Sequence, residues 1–196
     1  MPEPGRPLRA DARRNRARVL EAARTVLARD GSSASLREIA REAGVGLATI
    51  YRQFPTKEDL FAAVVRDRIG ALADEAAALI AGSGGTAPGA AFFTFFTLIV
   101  EDSTHKKMLV DALTDAGVAE ADVKAGMADL AAEIKDSLAT LLAGAQRSGD
   151  VRADVGMPEV LALLGAACLA AERGRWDAGT RDRALAVVFD GFRPRN

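Results

Sequence analysis

Ser35-Leu-Arg-Glu-Ile-Ala-Arg-Glu-Ala-Gly-Val-Gly-Leu-Ala-Thr-Ile-Tyr-Arg-Gln-Phe-Pro-Thr-Lys-Glu-Asp-Leu60 is the stretch that decides the fold of this chain. Ser35 and Glu38 have the spacing of a capping box: the hydroxyl accepts from the Glu38 backbone, and the carboxylate reaches back to the Ser35 N–H. A helix therefore starts at Leu36. It stops at Ala43-Gly44, because glycine takes a left-handed turn without steric cost. A short second helix fits between Gly46 and Gln53. Phe54-Pro55 ends it, since proline pushes the residue before it out of helical backbone. Thr56 and Asp59 repeat the capping box in aspartate form and open a third helix. Small Ala40 lets the first two helices cross closely, and Ile39, Val45 and Ile50 supply the apolar contacts between them. A small residue, a glycine and branched apolar residues at these offsets make a helix-turn-helix. The competing reading of the same pattern is an ordinary helical hairpin.

The flanks extend this into an all-helical chain. Before the motif, Val19, Ala23, Val26 and Leu27 recur at helical spacing and predict a helix over residues 12–29, closed by Asp30-Gly31. Arg13, Arg14, Arg16 and Arg18 crowd its first turns, where positive charge opposes the helix dipole; an anion bound nearby would account for them. Residues 1–11 hold three prolines and a glycine and predict a flexible arm, whose Arg6 and Arg9 can track phosphates. After the motif, a long helix over 57–81 carries Leu60, Val64, Ile69, Leu72 and Leu79. Gly82-Ser-Gly-Gly85 reads as a linker. Further helices are expected over 88–101, over 102–113 with Asp102-Ser103 as its cap, and over 120–148. Two more are expected over 157–173, with Pro158 in the first turn, and over 180–192. The count is about nine, with no strand alternation and no repeat. The expected division is an arm over 1–11, a three-helix helix-turn-helix domain over 12–57, and a helical domain for ligand sensing and dimerisation over 58–196.

Composition and charge agree with that division. Of the 196 residues, 49% are apolar and 5% aromatic, with one cysteine, which excludes an internal disulfide framework. The longest apolar run, residues 160–171, falls short of the roughly 20 residues that span a bilayer. No signal peptide is recognisable, so the expectation is a cytoplasmic protein away from membranes. The net charge of −1 conceals an asymmetry, +6 over residues 1–57 and −7 over the rest. A basic head on an acidic body fits a polyanionic partner such as DNA, although a solvated charged face gives the same count.

The quoted stretch resembles the DNA-binding signature of the TetR family of regulators, most specifically in Thr49-Ile-Tyr-Arg-Gln-Phe-Pro-Thr-Lys57. The likeness is close over residues 12–62; beyond them only helix number and order match. Gly46 departs from it, standing where the family often has a polar capping residue. The resemblance implies that Tyr51 and Lys57 hold phosphates, that Thr49 makes a further backbone contact, and that Arg37 reaches a base edge or phosphate. Leu47, Ala48 and Gln53 are expected on the exposed face of the second helix. Leu47 and Ala48 can make only apolar contact there, as with a thymine methyl, while Gln53 can read adenine. The partner implied is double-stranded operator DNA, bound by a homodimer with half-sites roughly 34–36 Å apart or a small multiple of it.

The resemblance also implies that the last two helices pair across a dyad and that the domain senses a small molecule. The residues fit: the 157–173 helix is apolar on nearly all sides, as a helix needing cover from two directions would be. Leu161, Leu164, Cys168, Leu185, Val188 and Phe192 are the expected dimer residues. Four of the eight phenylalanines fall within residues 92–96. Phe96, Met108, Met127, Cys168 and Trp176 are the candidates for an apolar effector pocket, against the plainer reading of them as core. No cofactor is expected. With one histidine and one cysteine far apart, a transition-metal site is not expected either. An enzyme is disfavoured by the lack of a nucleophile–base signature, phosphate loop or metal motif. A helical interaction module without DNA, and a DNA binder without ligand, remain the other readings.

Overall fold

A computed structural model of the chain describes residues 6–82, 88–115, 118, 125 and 128–194, without the side chains of 6–10, 32, 104–106, 108 and 109. Within them lie α1 (Arg6–Asp30), a 3-10 turn (Gly31–Ser33), α2 (Leu36–Ala43), α3 (Leu47–Gln53), α4 (Lys57–Gly82), α5 (Pro88–Asp115), α6 (Ala128–Arg147), α7 (Met157–Gly174) and α8 (Ala178–Phe192). No strand occurs among the described residues.

The chain packs as two units. One holds the residues up to Arg68 and the α5 residues from Met108 onward. Its α1 buries Val19, Ala23, Val26 and Leu27, the stripe its periodicity requires. Ile39, Ala40 and Ala43 of α2, Ile50 of α3, and Leu60, Phe61, Val64 and Val65 of α4 are also buried. The other unit runs from Ile69 to Lys107 and takes in α6, α7 and α8. Its core contains Phe92, Phe95, Phe96, Leu138, Leu141, Val160, Leu164, Leu185 and Phe192. Phe92, Phe96, Phe189 and Phe192 meet edge to face, with Phe92–Phe192 centroids 5.8 Å apart and Phe96–Phe189 5.5 Å apart. Arg181 on α8 pairs with Glu101 on α5 at 3.1 Å. The first turn of α5 is held from outside the helix: Gly89 N–H donates to Asp150 Oδ2 at 3.1 Å, and the Ser148 hydroxyl donates to the same oxygen at 2.6 Å.

Three helix boundaries differ from the sequence reading. Helix α1 begins at Arg6 instead of residue 12, because Pro7 falls in its first turn, where a missing N–H and a fixed φ are favourable. The expected break at Asp102-Ser103 does not exist, and α5 runs through it. Ser103 donates to the Val100 carbonyl at 2.9 Å, so its hydroxyl is satisfied inside the helix instead of capping a new one. Helix α8 starts at Ala178, because Asp177 Oδ1 accepts from the Thr180 N–H at 2.7 Å and acts as the cap. The two packed units meet inside α4, after Arg68. The core of the second unit takes nothing from α4 before Leu72, while Leu60, Phe61, Ala63, Val64 and Val65 are buried in the first. The linker beyond Gly82 and most of residues 120–127 lie outside the described residues, as does the side chain of His105.

Candidate nucleic-acid interface

The hydrogen bonds of the helix-turn-helix are those its sequence dictates. Glu38 N–H donates to Ser35 Oγ at 3.2 Å, and Ser35 N–H donates to Glu38 Oε2 at 3.2 Å. Gly44 closes α2 with φ +62°. The Val45 N–H returns to the Ala40 carbonyl at 3.0 Å, which sets the angle into α3. Gly46 precedes α3 in extended backbone and offers no side-chain cap. The Phe54 N–H closes α3 on the Ile50 carbonyl at 2.8 Å. At α4, Asp59 N–H donates to Thr56 Oγ1 at 3.0 Å and Thr56 N–H to Asp59 Oδ2 at 3.1 Å, the reciprocal box expected there.

This frame sorts the expected contact residues. Ile50 and Phe54 are buried and hold α3 in place. Ala48 and Arg37 are exposed, and Tyr51 is 49% exposed. Leu47, Thr49 and Lys57 are half-buried. The Lys57 ammonium lies 5.1 Å from the centre of the Phe61 ring, so its stem is steered by an aromatic face at the start of α4. Gln53 differs from the expectation of an exposed reader. It is half-buried, and its Oε1 is enclosed with no protein hydrogen-bond partner. The reason is position: Gln53 is the last residue of α3, next to buried Phe54. On the far side of Phe54, the Arg16 guanidinium lies 4.6 Å from the ring centre. Arg24 of α1 pairs with Asp67 of α4 at 3.1 Å. At the end of α1, the hydrogen bond from Arg29 holds the Asp30 carboxyl below its ordinary range.

In the second unit the expected dimer residues separate into two groups. Leu164, Leu185 and Phe192 are buried in the chain's own core. Leu161, Cys168 and Val188 are half-buried against it. The first three are thus part of the chain's own core, and the other three lie at its edge. The exposed apolar residues are Leu163 at 42%, Leu169 at 47% and Val187 at 74%. Exposed Ala162, Gly165, Ala166 and Ala170 flank Leu163 and Leu169 on α7. A helix that is apolar all round gives no phase from sequence, so its inner and outer leucines could not be told apart.

Of the candidate pocket residues, Phe96 is fully enclosed in the aromatic cluster, and Cys168 and Trp176 are half-buried against the same core. The side chains of Met108 and Met127 lie outside the described residues. A cavity of about 470 Å³ is lined by Ile80, Pro88, Thr140, Leu141, Gly144 and Arg147 among others. A second, of about 420 Å³, is lined by Gln146, Val151, Arg152 and Pro194 among others. Neither is lined by Phe96, Cys168 or Trp176. Among the described residues no cluster of histidine, cysteine or carboxylate side chains can hold a metal ion, and no helix is long and apolar enough to cross a membrane.

Fold and site together define a helix-turn-helix protein with a separate all-helical unit. Residues 19–64 match the family of bacterial regulatory proteins of tetR type, and residues 87–194 match the C-terminal domain of SbtR-like transcriptional regulators. The chain belongs to the TetR family of transcriptional regulators. The crystal structure of a TetR regulatory protein from Mycobacterium vanbaalenii is similar, with 40% identity, TM-score 0.77, and coverage of 96% of this chain and 100% of that one. A TetR regulator from Streptomyces coelicolor is 31% identical, with TM-score 0.74 and coverage of 92% and 99%. HTH-type transcriptional regulators of Staphylococcus aureus are 41% identical over 54 residues, which span 27% of this chain and 29% of theirs.

Proposed function

We propose that this protein is a cytoplasmic repressor that binds a palindromic operator as a homodimer and is released by a largely apolar small molecule. The observation that carries the reading is the outward face of α2 and α3, with Arg37, Ala48 and Tyr51 exposed on a frame locked by Ile50 and Phe54. Tyr51, Lys57 and Thr49 are assigned to phosphates, and Arg37 to a phosphate or base edge. Leu47 and Ala48 are assigned to apolar base contact. Gln53 reads a base only if its half-buried amide turns outward on binding.

Dimerisation is assigned to the exposed apolar face of α7 and α8, centred on Leu163, Leu169 and Val187, with the half-buried Leu161, Cys168 and Val188 at its base. For the effector, Phe96, Met108, Met127, Cys168 and Trp176 remain the proposed contacts. Cys168 and Trp176 are the accessible ones; an effector reaching Phe96 must open the aromatic cluster. Release requires different effector affinity for the DNA-binding and DNA-free states, and a tilt of the continuous helix α4 is the proposed link.

Selection from randomised duplex DNA tests the reading. Enrichment of one palindrome by the wild type, and none by Tyr51→Ala/Lys57→Ala, is the expected result. No enrichment at low salt with a folded dimer would favour a helical interaction module instead. Trp176 is the only tryptophan, so its emission reports effector binding. An effector that shifts the emission without weakening operator binding would refute release.

A further inference from the structure

The arginines of α1 fall into two sets. Arg14 and Arg18 are engaged within their own helix, Arg14 with Asp11 and Arg18 with the Asn15 amide oxygen at 2.6 Å. Arg13 and Arg16 occupy a different face. Arg16 lies three residues before buried Val19, at the edge of the apolar stripe, and Arg13 three residues further back on the exposed flank of the helix. The edge of the apolar stripe therefore carries Arg16, with Arg13 beside it. Arg16 shows where that edge leads, because its guanidinium stacks on Phe54 at the end of α3. Arg13 lies one turn further out, roughly 4.5 Å along the axis. It is exposed and makes no ion pair or side-chain hydrogen bond among the described residues.

We infer that the first turns of α1 form a second DNA-contacting element, in which Arg13 neutralises a phosphate flanking the half-site read by α3. Arg16 is its anchor, since stacking on Phe54 fixes α1 against the recognition helix. The ligand chemistry is the phosphodiester backbone, not a base edge, because an arginine borne on a helix flank beside the reader meets the strand before the groove floor. This inference rests on the DNA-binding reading and extends its footprint beyond the helix-turn-helix.

The test uses the selected palindrome in two duplexes, one trimmed to the two half-sites and one with additional flanking base pairs. Wild type, Arg13→Gln and Arg14→Gln are titrated against salt. On the long duplex, each phosphate contact contributes about −0.9 to the slope of log affinity against log salt, so two per dimer contribute about −1.8. Between 50 and 200 mM salt the wild type should thus lose about twelvefold more affinity than Arg13→Gln. Arg14→Gln should follow the wild type, and all three should bind the trimmed duplex alike. Equal slopes for wild type and Arg13→Gln on the long duplex, with Tyr51→Ala/Lys57→Ala still impaired, would overturn the inference and leave the DNA-binding reading intact. A gain confined to A·T-rich flanks would overturn the phosphate assignment. Failure of the wild type to bind any duplex would overturn both.

Discussion

Arg175 is the one described non-glycine residue with positive φ, +46°, and it ends α7 in the left-handed conformation that side chains disfavour by about 1–2 kcal/mol. Arg175→Gly should therefore raise stability by about 0.5–1 kcal/mol after the added entropy of the unfolded glycine, read as a higher Tm. Gly44 is the mirror case. Nothing crowds its missing side chain, but φ is +62° and the turn into α3 depends on it. Gly44→Ala should cost about 1–2 kcal/mol in urea unfolding and weaken operator binding further, because α3 is re-aimed. Asp177 supplies a pH dependence. Hydrogen bonds from Thr180 hold its carboxyl below the ordinary range. Its folded pKa being depressed, its contribution is complete above the unfolded value of about 3.9 and is lost as pH falls through the folded one. Asp177→Ala should lower Tm at pH 7 and converge with wild type in acid; a constant difference down to the lowest pH would contradict the assignment.

Among the elements, α5 depends most on a contact from outside itself. A Cβ at Gly89 would stand 2.3 Å from the Asp150 Cβ, while one at Gly144 of α6 would meet only ordinary neighbours at 3.8 Å. Gly89→Ala should destabilise by about 1–3 kcal/mol through forced displacement. Gly144→Ala should stabilise by about 0.5–1 kcal/mol, as alanine does inside a helix. Opposite signs from the same substitution in one domain are measurable by thermal unfolding. Sequence reading reached these elements unevenly. The helix-turn-helix was legible because its signals are local: Ser35 with Glu38, Gly44, Pro55, and Thr56 with Asp59 each act within four residues. The continuity of α5 was not, because Asp102-Ser103 is equally good as a cap and as a helical pair, and only the bond from Ser103 to Val100 decides between them. The bond from Gly89 to Asp150 joins residues 61 apart in sequence and leaves no local trace.

On the scale of the molecule, the apolar residues of α7 and α8 divide into a buried set and an exposed set, and the exposed set is the proposed dimer face. If the proposed dimer forms through this face, Leu163→Asp/Leu169→Asp should give a monomer in sedimentation and abolish operator binding while leaving the helical circular dichroism intact, since both side chains are exposed. Leu164→Ala should instead lower folding stability by about 2–5 kcal/mol, because the side chain it truncates is buried in the core. Loss of folding in both variants would mean that the outward leucines had been misassigned. Sequence showed that α7 is apolar on nearly all sides but could not say which leucines face inward, since that depends on the rotation of α7 about its own axis.

Helix α3 has seven residues, one fully buried side chain and no side-chain cap at Gly46. So short a helix is only weakly self-supporting. Its amides should therefore exchange with solvent faster than those of the capped α2, and hydrogen exchange with and without operator measures how far a matching groove orders the helix that reads it.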